Sequence, residues 1–362
     1  MSLSRICVAA LLCLFTSTGV SQSPAPSTAP AVSSPAPTPA YLSDPHYVAA
    51  MHDAKVRATT GQYGFSIDAY RKADKIAGGN CGECLHQIAI LQLNLNDHKG
   101  AAKTATELIA KAGTPLDKSK AEALLGEALY HQGGDKPKPA QLQAADQALK
   151  SALTDYPRNV SARFLDGEVL ARMGDTDAAR AAFRTCAEQC SPSDPYLIRA
   201  KHFAENPALS YAKMAPAFTV TALDGSKFTL DEMGGRVVLI DFWATWCGPC
   251  NEELPELKKI AKDFAGQPLV MISISSDRDE AKWKEFIQKH EMTWHQYRDS
   301  DDKLGKLFAV QSIPHYFTID SDGVLTSEMV GSGYDVEGRL KKLIAKARER
   351  QTNQTAAIAP GS

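Results

Sequence analysis

Two periodicities within one chain predict an all-α segment of helical repeats followed by an α/β domain. From about residue 41 to 212, small apolar residues recur at helical spacing with almost no strand signal. After Met214-Ala215-Pro216 the pattern changes to short apolar runs alternating with helical stretches. Trp246-Cys247-Gly248-Pro249-Cys250 stands where one such run ends. The 362 residues suffice for two or three domains, and 44% hydrophobic with 23% charged residues is an ordinary globular composition. A formal net charge of -2, with no local stretch resembling a nucleic-acid module, argues against nucleic acid as a partner.

At the N-terminus, Met1–Arg5 carries one positive charge, Ile6–Phe15 is apolar, and Thr16–Gln22 is small and polar. This is the order of a secretory signal peptide, expected over 1–21 with cleavage after Gly19 or Ser21. The apolar run is about half the ~20 residues of a spanning helix, so cleavage is preferred over a membrane anchor; a retained leader would tether the protein. Cys7 and Cys13 lack the small preceding residues of a lipobox. Residues 22–40 are rich in Pro, Ala and Ser, the composition of an extended, semi-rigid linker.

The segment 41–212 repeats itself. Gly61-Gln62-Tyr63 precedes Ile67, Tyr70 and Ala73; Asn96-Asp97-His98 precedes Ala101, Ala105 and Leu108; Gly174-Asp175-Thr176 precedes Ala179, Phe183 and Cys186. A third copy is expected with helices at Ala121–Gln132 and Ala144–Thr154, ending at Tyr156-Pro157. The matching positions Ala73, Leu108, Ala152 and Cys186 lie 35, 44 and 34 residues apart, the long interval being explained by the insertion Gly133–Gln141. A helix–turn–helix period of about 34 residues, with Leu125-Gly126 and Tyr156-Pro157 as the best matches, resembles the tetratricopeptide repeat in four degenerate copies. The resemblance implies a solenoid with a concave groove, either for a protein or peptide ligand or serving as a spacer.

Without the leader, six of the eight cysteines remain, all in close pairs. Cys81-Gly82-Glu83-Cys84 opens an expected helix, and Cys186 and Cys190 lie one turn apart. Haem attachment fails because Leu85, not histidine, follows Cys84. A four-cysteine zinc site is conceivable but would join distant parts of a solenoid. Structural disulfides are the preferred assignment of Cys81, Cys84, Cys186 and Cys190, with their connectivity open, and no metal is expected.

In the domain expected over 213–348, Ala217–Val220 and Lys227–Leu230 read as a hairpin around Asp224-Gly225. Val237–Phe242 and Leu269–Ile274 are near-continuous apolar runs, as in strands buried on both faces. Helices are expected from Gly248 to about Phe264, near Glu280–His290, and from Val336 to Arg348. His315–Ile319 and Leu325–Val330 form a hairpin around Ser321-Asp322-Gly323. Residues 349–362 are polar and expected to be a disordered tail.

The pair Cys247-Gly248-Pro249-Cys250 at the end of a buried strand, with Ile313-Pro314 before a later strand, resembles the thioredoxin superfamily. The stretches APAFTVTALDGSKFTL and WCGPCNEELPEL look like its TlpA/ResA branch of exported thiol–disulfide oxidoreductases. The resemblance spans about 214–347 and implies an α/β thioredoxin-like domain whose redox-active Cys247–Cys250 disulfide is its own redox group, with no other cofactor.

A thiolate, not a thiol, attacks a disulfide. Cys247 precedes the first turn of a helix, where free N–H groups and the helix dipole stabilise negative charge, so its pKa should fall below the ~8.5 of a free cysteine. Cys250, one turn in, would resolve the mixed disulfide, and Gly248-Pro249 fixes the bend between them. Asp241 matches the buried aspartate that handles the resolving cysteine's proton in thioredoxins, and a buried carboxyl should have a raised pKa. Thioredoxins place a lysine beside it; here that position falls in Met271-Ile272-Ser273. Glu253 matches the glutamate that ResA-like proteins place beside the site. Pro314 carries over as the cis-proline, with Ile313 beside an extended substrate. Trp246 is expected to face substrate, Trp243 could be core, and a lone His315 is more often incidental.

The expected activity is reduction or isomerisation of disulfides in client proteins of the periplasm or exterior, with a membrane thiol–disulfide carrier as electron donor. Two alternatives stand beside it. One is peroxiredoxin-like peroxide reduction, since APAFTVTALDG is shared with that branch, although Ala244 occupies the place of its usual threonine. The other is a client-binding scaffold with secondary redox activity.

Overall fold

The structure, a computed structural model, describes residues 39–358. The expected leader, the linker up to residue 38 and residues 359–362 lie outside the described residues. The chain divides into two compact units, 39–162 and 163–358, with the division inside one helix.

The first unit holds α1 (Pro45–Thr59), α2 (Tyr63–Ile76), α3 (Gly82–Asn94), α4 (His98–Lys111), α5 (Pro115–His131) and α6 (Pro139–Asp155), each packed on the next. Polar caps start several of them: Asp44 accepts the N–H of His46, Asp97 that of Gly100 and Thr114 that of Asp117. Pro115 and Pro139 stand at first helical positions, so α5 and α6 begin earlier than apolar periodicity alone suggests. A Cβ on Gly126 would stand 2.7 Å from Leu149, so only glycine lets α5 approach α6 this closely. Ala73, Leu108 and Ala152, the matching repeat positions, lie buried in α2, α4 and α6.

The division falls within α7 (Val160–Met173), and the second unit continues through α8 (Thr176–Gln189) and α9 (Leu197–Glu205). Phe164, Phe183, Phe203 and Tyr196 pack their rings together there, and a Cβ on Gly167 would meet Phe183 at 2.7 Å. The compact units divide at 162/163, while helical elements give way to strands between Tyr211 and Thr219. The buried Arg199 of α9 pairs with Asp231 at 3.0 Å and donates to the Ala215 carbonyl at 2.7 Å, fastening the last helices to the α/β part.

That part holds β1 (Thr219–Thr221), β2 (Lys227–Thr229), β3 (Val237–Trp243), α10 (Gly248–Asp263), β4 (Leu269–Ser275), α11 (Glu280–Lys289), β5 (His295–Arg298), α12 (Lys303–Leu307), β6 (His315–Ile319), β7 (Leu325–Val330) and α13 (Val336–Ile358). β1 and β2 form a hairpin; the others form a five-stranded sheet in the order β5-β4-β3-β6-β7. β3, β4 and β5 run parallel, while β6 is antiparallel to both β3 and β7.

Alternation along β3 supplies both cores. Val238, Ile240 and Phe242 face Phe218, Phe228 and Phe308, whereas Val237 and Leu239 face Leu257 and Ile260 of α10 with Leu340 and Ile344 of α13. The sheet is thus covered on both faces, and its central strand is buried throughout.

Two expectations are corrected. α13 continues to Ile358 rather than ending at Arg348, so 349–358 are helical and not a disordered tail. Arg350 pairs with Asp322, and Gln351 donates to the Gly235 carbonyl at 2.9 Å, which fastens the added turns. Cys186 and Cys190 are not bridged: Cys190 is the extended C-cap of α8, and the two sulfurs stand 3.9 Å apart.

Candidate active site

The end of β3 and the start of α10 build the site. The parallel crossover from β3 to β4 needs a helix, and the turn into it presents Trp246, Cys247, Gly248 and Pro249 at the strand's carboxyl end. Cys247 is the N-cap of α10 and is bonded to Cys250. The Cys247 sulfur accepts the N–H of Cys250 at 3.2 Å. Negative charge left there on reduction would meet the free N–H groups and positive dipole end of α10.

Both cysteines are largely buried, while Gly248 and Pro249 are exposed and Trp246 is 70% exposed. Cys247 and Cys250 share an apolar cluster with Trp243, Leu254 and Trp283, against which the half-buried Ile313 packs. Trp243 is therefore core. The Ile313–Pro314 peptide is cis, and Pro314 is buried.

The turn itself is held by a residue that sequence reasoning missed. Buried Asp277, just after β4, accepts the Thr245 N–H at 2.9 Å and the Thr245 hydroxyl at 2.6 Å. The Ser275 hydroxyl also donates to it at 2.7 Å. The signal available in the sequence was only the polar run Ser275-Ser276-Asp277 after a strand.

Asp241 is fully enclosed on β3, opposite Ser273 of β4 and Tyr316 of β6. Burial raises its pKa to about 7; the hydrogen bond from Ser273 opposes the shift, and the charge of Glu253 adds to it. Ser273 thus occupies the place where the thioredoxin pattern puts a lysine, donating to Oδ2 of Asp241 at 2.9 Å. Tyr316, buried beside Asp241, is pushed upward by desolvation and then by that carboxylate.

Glu253 is half-buried, and its Oε1 accepts the Gly333 N–H at 2.9 Å. His315 is buried on the opposite sheet face from Asp241, stacked on Phe317 with Nε2 3.1 Å from Glu328. Burial lowers its pKa, which favours a neutral imidazole.

The other paired cysteines are elsewhere. Cys81–Cys84 is a disulfide in the first unit, 1% and 0% exposed, with the Tyr47 hydroxyl 3.4 Å from the Cys81 sulfur. Among the described residues, no group of three or more His, Cys, Asp or Glu is placed to hold a metal, and no helix is long and apolar enough to cross a membrane.

A strand-end Cys-x-x-Cys disulfide at a helix N-terminus, with a buried carboxyl on the strand that leads into it and a cis-proline in the same domain, is an arrangement for thiol–disulfide exchange. Similarity to known proteins agrees. Thioredoxin-like protein YneN of Bacillus subtilis is 30% identical over 123 residues, which cover 33% of this chain and 71% of that protein. The chain belongs to the thioredoxin-like family. Within that family, thiol-disulfide oxidoreductase ResA of Bacillus cereus is 29% identical over 143 residues, covering 39% of this chain and 83% of that protein. The family model described as AhpC/TSA matches residues 211–328. Among solved structures, the thioredoxin domain of a thiol-disulfide oxidoreductase from Bacteroides vulgatus is 28% identical, covers 36% of this chain and 95% of that chain, and superposes with a TM-score of 0.34. The C-terminal part of this thioredoxin-like protein is a thiol-disulfide oxidoreductase domain.

Proposed function

We propose that the protein reduces or isomerises disulfides of extracytoplasmic client proteins through Cys247 and Cys250. The observation that carries this reading is the Cys247–Cys250 pair capping α10 in a unit that also buries Asp241. In the reduced protein, the Cys247 thiolate attacks one sulfur of a client disulfide, and the other client sulfur leaves as a thiolate and is protonated. The Cys250 thiol then gives its proton to Asp241, and its sulfur attacks Cys247, releasing the second client sulfur as a thiolate, which takes up the proton that Asp241 gives back. The client gains two electrons and two protons, and Cys247–Cys250 becomes the disulfide. A thiol–disulfide carrier in the membrane returns the two electrons.

Exposed Trp246, with Gly248, Pro249, Ile313 and cis-Pro314, forms the client-facing surface, and Glu253 holds the loop beyond β7. The leader at 1–21 directs export. The paired helices are read as tetratricopeptide-like repeats; their supports are the buried matching positions and the close approaches at Gly126 and Gly167. Their groove would select clients.

The reductive direction is tested by the Cys247–Cys250 reduction potential in the full chain. A value well below about -150 mV supports it, and one near the about -120 mV of a strong disulfide oxidant overturns it. The AhpC/TSA match favours a second reading, peroxide reduction, which Ala244 opposes. The rate of hydrogen peroxide turnover by the reduced protein, measured against its rate of client reduction, separates the two.

A further inference from the structure

Around Asp241 the hydrogen atoms can be counted. Trp294, immediately before edge strand β5, donates its indole N–H to Ser273 Oγ at 2.8 Å. An indole nitrogen only donates, and a serine hydroxyl carries one hydrogen. With its oxygen already accepting from Trp294, Ser273 directs that hydrogen to Oδ2 of Asp241 at 2.9 Å. Oδ1 of Asp241 is buried and has no hydrogen-bond partner. A two-donor chain from β4 and the residue before β5 thus feeds one carboxyl oxygen of β3 with neutral groups and leaves the other bare.

We propose that Ser273 and Trp294 are positioning residues for the exchange reaction, forming a fixed donor relay that occupies Oδ2 of Asp241 and leaves Oδ1 as the oxygen that takes and returns the proton. The proposal rests on the reading of Asp241 as the proton acceptor for Cys250. The physical case is that a carboxylate oxygen already receiving a hydrogen bond is the poorer place for an added proton, and that bonds to the charged form stabilise it. A lysine would do this with a buried positive charge. The relay does it with dipoles, which spares the desolvation of a second ion. The ionisable groups that bear on Asp241 are Glu253 from α10 and Tyr316 from β6; β4 and the segment leading into β5 contribute only the Ser273 and Trp294 donors.

The direction of the effect follows. Removing a donor to the charged form raises the pH at which the carboxyl ionises, so the pH limb governed by Asp241 moves upward. The test is the pH dependence of insulin reduction by the full chain carrying Ser273→Ala, Ser273→Thr, Trp294→Phe or Asp241→Asn, each checked by circular dichroism. The relay predicts that Ser273→Ala moves the limb up by about one pH unit, a tenfold change in ionisation, that Trp294→Phe moves it the same way by less, and that Ser273→Thr restores it. If Asp241→Asn abolishes the limb but the three relay variants overlay the native profile, the relay is overturned and Asp241 stands. If Asp241→Asn leaves the limb in place, Asp241 is not the acceptor and both readings fall. Trp294→Phe alone decides the relay if neither Ser273 variant folds, because phenylalanine keeps the packing and removes the donor.

Discussion

Glu253 Oε1 accepts the backbone N–H of Gly333 at 2.9 Å, tying the second turn of α10 to the loop between β7 and α13. The same loop begins at Gly331, whose N–H donates to the Pro314 carbonyl at 2.8 Å. One short segment therefore joins the helix that carries the cysteines to the cis-proline. Gly331 and Gly333, with φ of 92° and 84°, supply the left-handed backbone this path requires.

Removing the acceptor should loosen that segment. Glu253→Ala is expected to lower stability by about 1 kcal/mol, whereas Glu253→Gln, which keeps a side-chain carbonyl oxygen, loses less than half of that. Urea unfolding midpoints at constant m-value measure the difference. Equal midpoints for Ala, Gln and the native chain would show that the bond contributes nothing.

Asp241 makes stability depend on pH in the sense opposite to a salt-bridged carboxylate. Its pKa is raised by burial from the ordinary 3.8 to about 7. Between those values the folded state holds a proton that the unfolded state has released, so stability falls as pH rises from about 4 to about 7. Below the unfolded pKa the penalty is absent, and above the folded pKa it is complete. Asp241→Asn removes the ionisation, so the variant should gain on the native oxidised protein as pH rises, by on the order of 3 kcal/mol at pH 8 relative to pH 4. Denaturant titrations at the two pH values test this, and a constant difference would contradict the buried, neutral-leaning carboxyl.

Trp246, 70% exposed next to Cys247, has little packing to lose. Trp246→Ala should leave stability within about 0.5 kcal/mol. It should lower kcat/KM for a protein disulfide about tenfold while sparing a small aromatic disulfide, because an exposed aromatic beside the reacting sulfur contributes contact area to a large client. Equal losses on both substrates would place its effect on the cysteines themselves.

Much of the α/β part was legible because its signals are local. The apolar run Val237–Phe242 and the start of α10 at Gly248 follow from patterning and helix-start chemistry, and both stand as read. β5 and α12 were not legible. His295–Arg298 is four residues without apolar alternation, an edge strand paired only with β4, and Lys303–Leu307 is a helix of five residues. Both are defined by what they pack against rather than by their own composition. The same holds for the division of the chain. Arg199 and Asp231 lie 32 positions apart and make one unit of segments whose periodicities differ, which no local pattern signals. Ser273 was visible only as the absence of a lysine. Its function appears once β3, β4 and the approach to β5 stand side by side and Trp294 reaches its hydroxyl.

The assignment of exchange to Cys247, rather than to Cys81–Cys84 or the unbridged Cys186 and Cys190, is the centre of this account. It is tested by trapping. Reduced full-length protein carrying Cys250→Ser is mixed with insulin, the remaining thiols are blocked, and disulfide-linked peptides are identified by mass spectrometry. The account predicts a mixed disulfide between insulin and Cys247 that the native Cys250 would resolve. Adducts confined to Cys81, Cys84, Cys186 or Cys190, or undiminished insulin reduction by a Cys247→Ser chain, would contradict it.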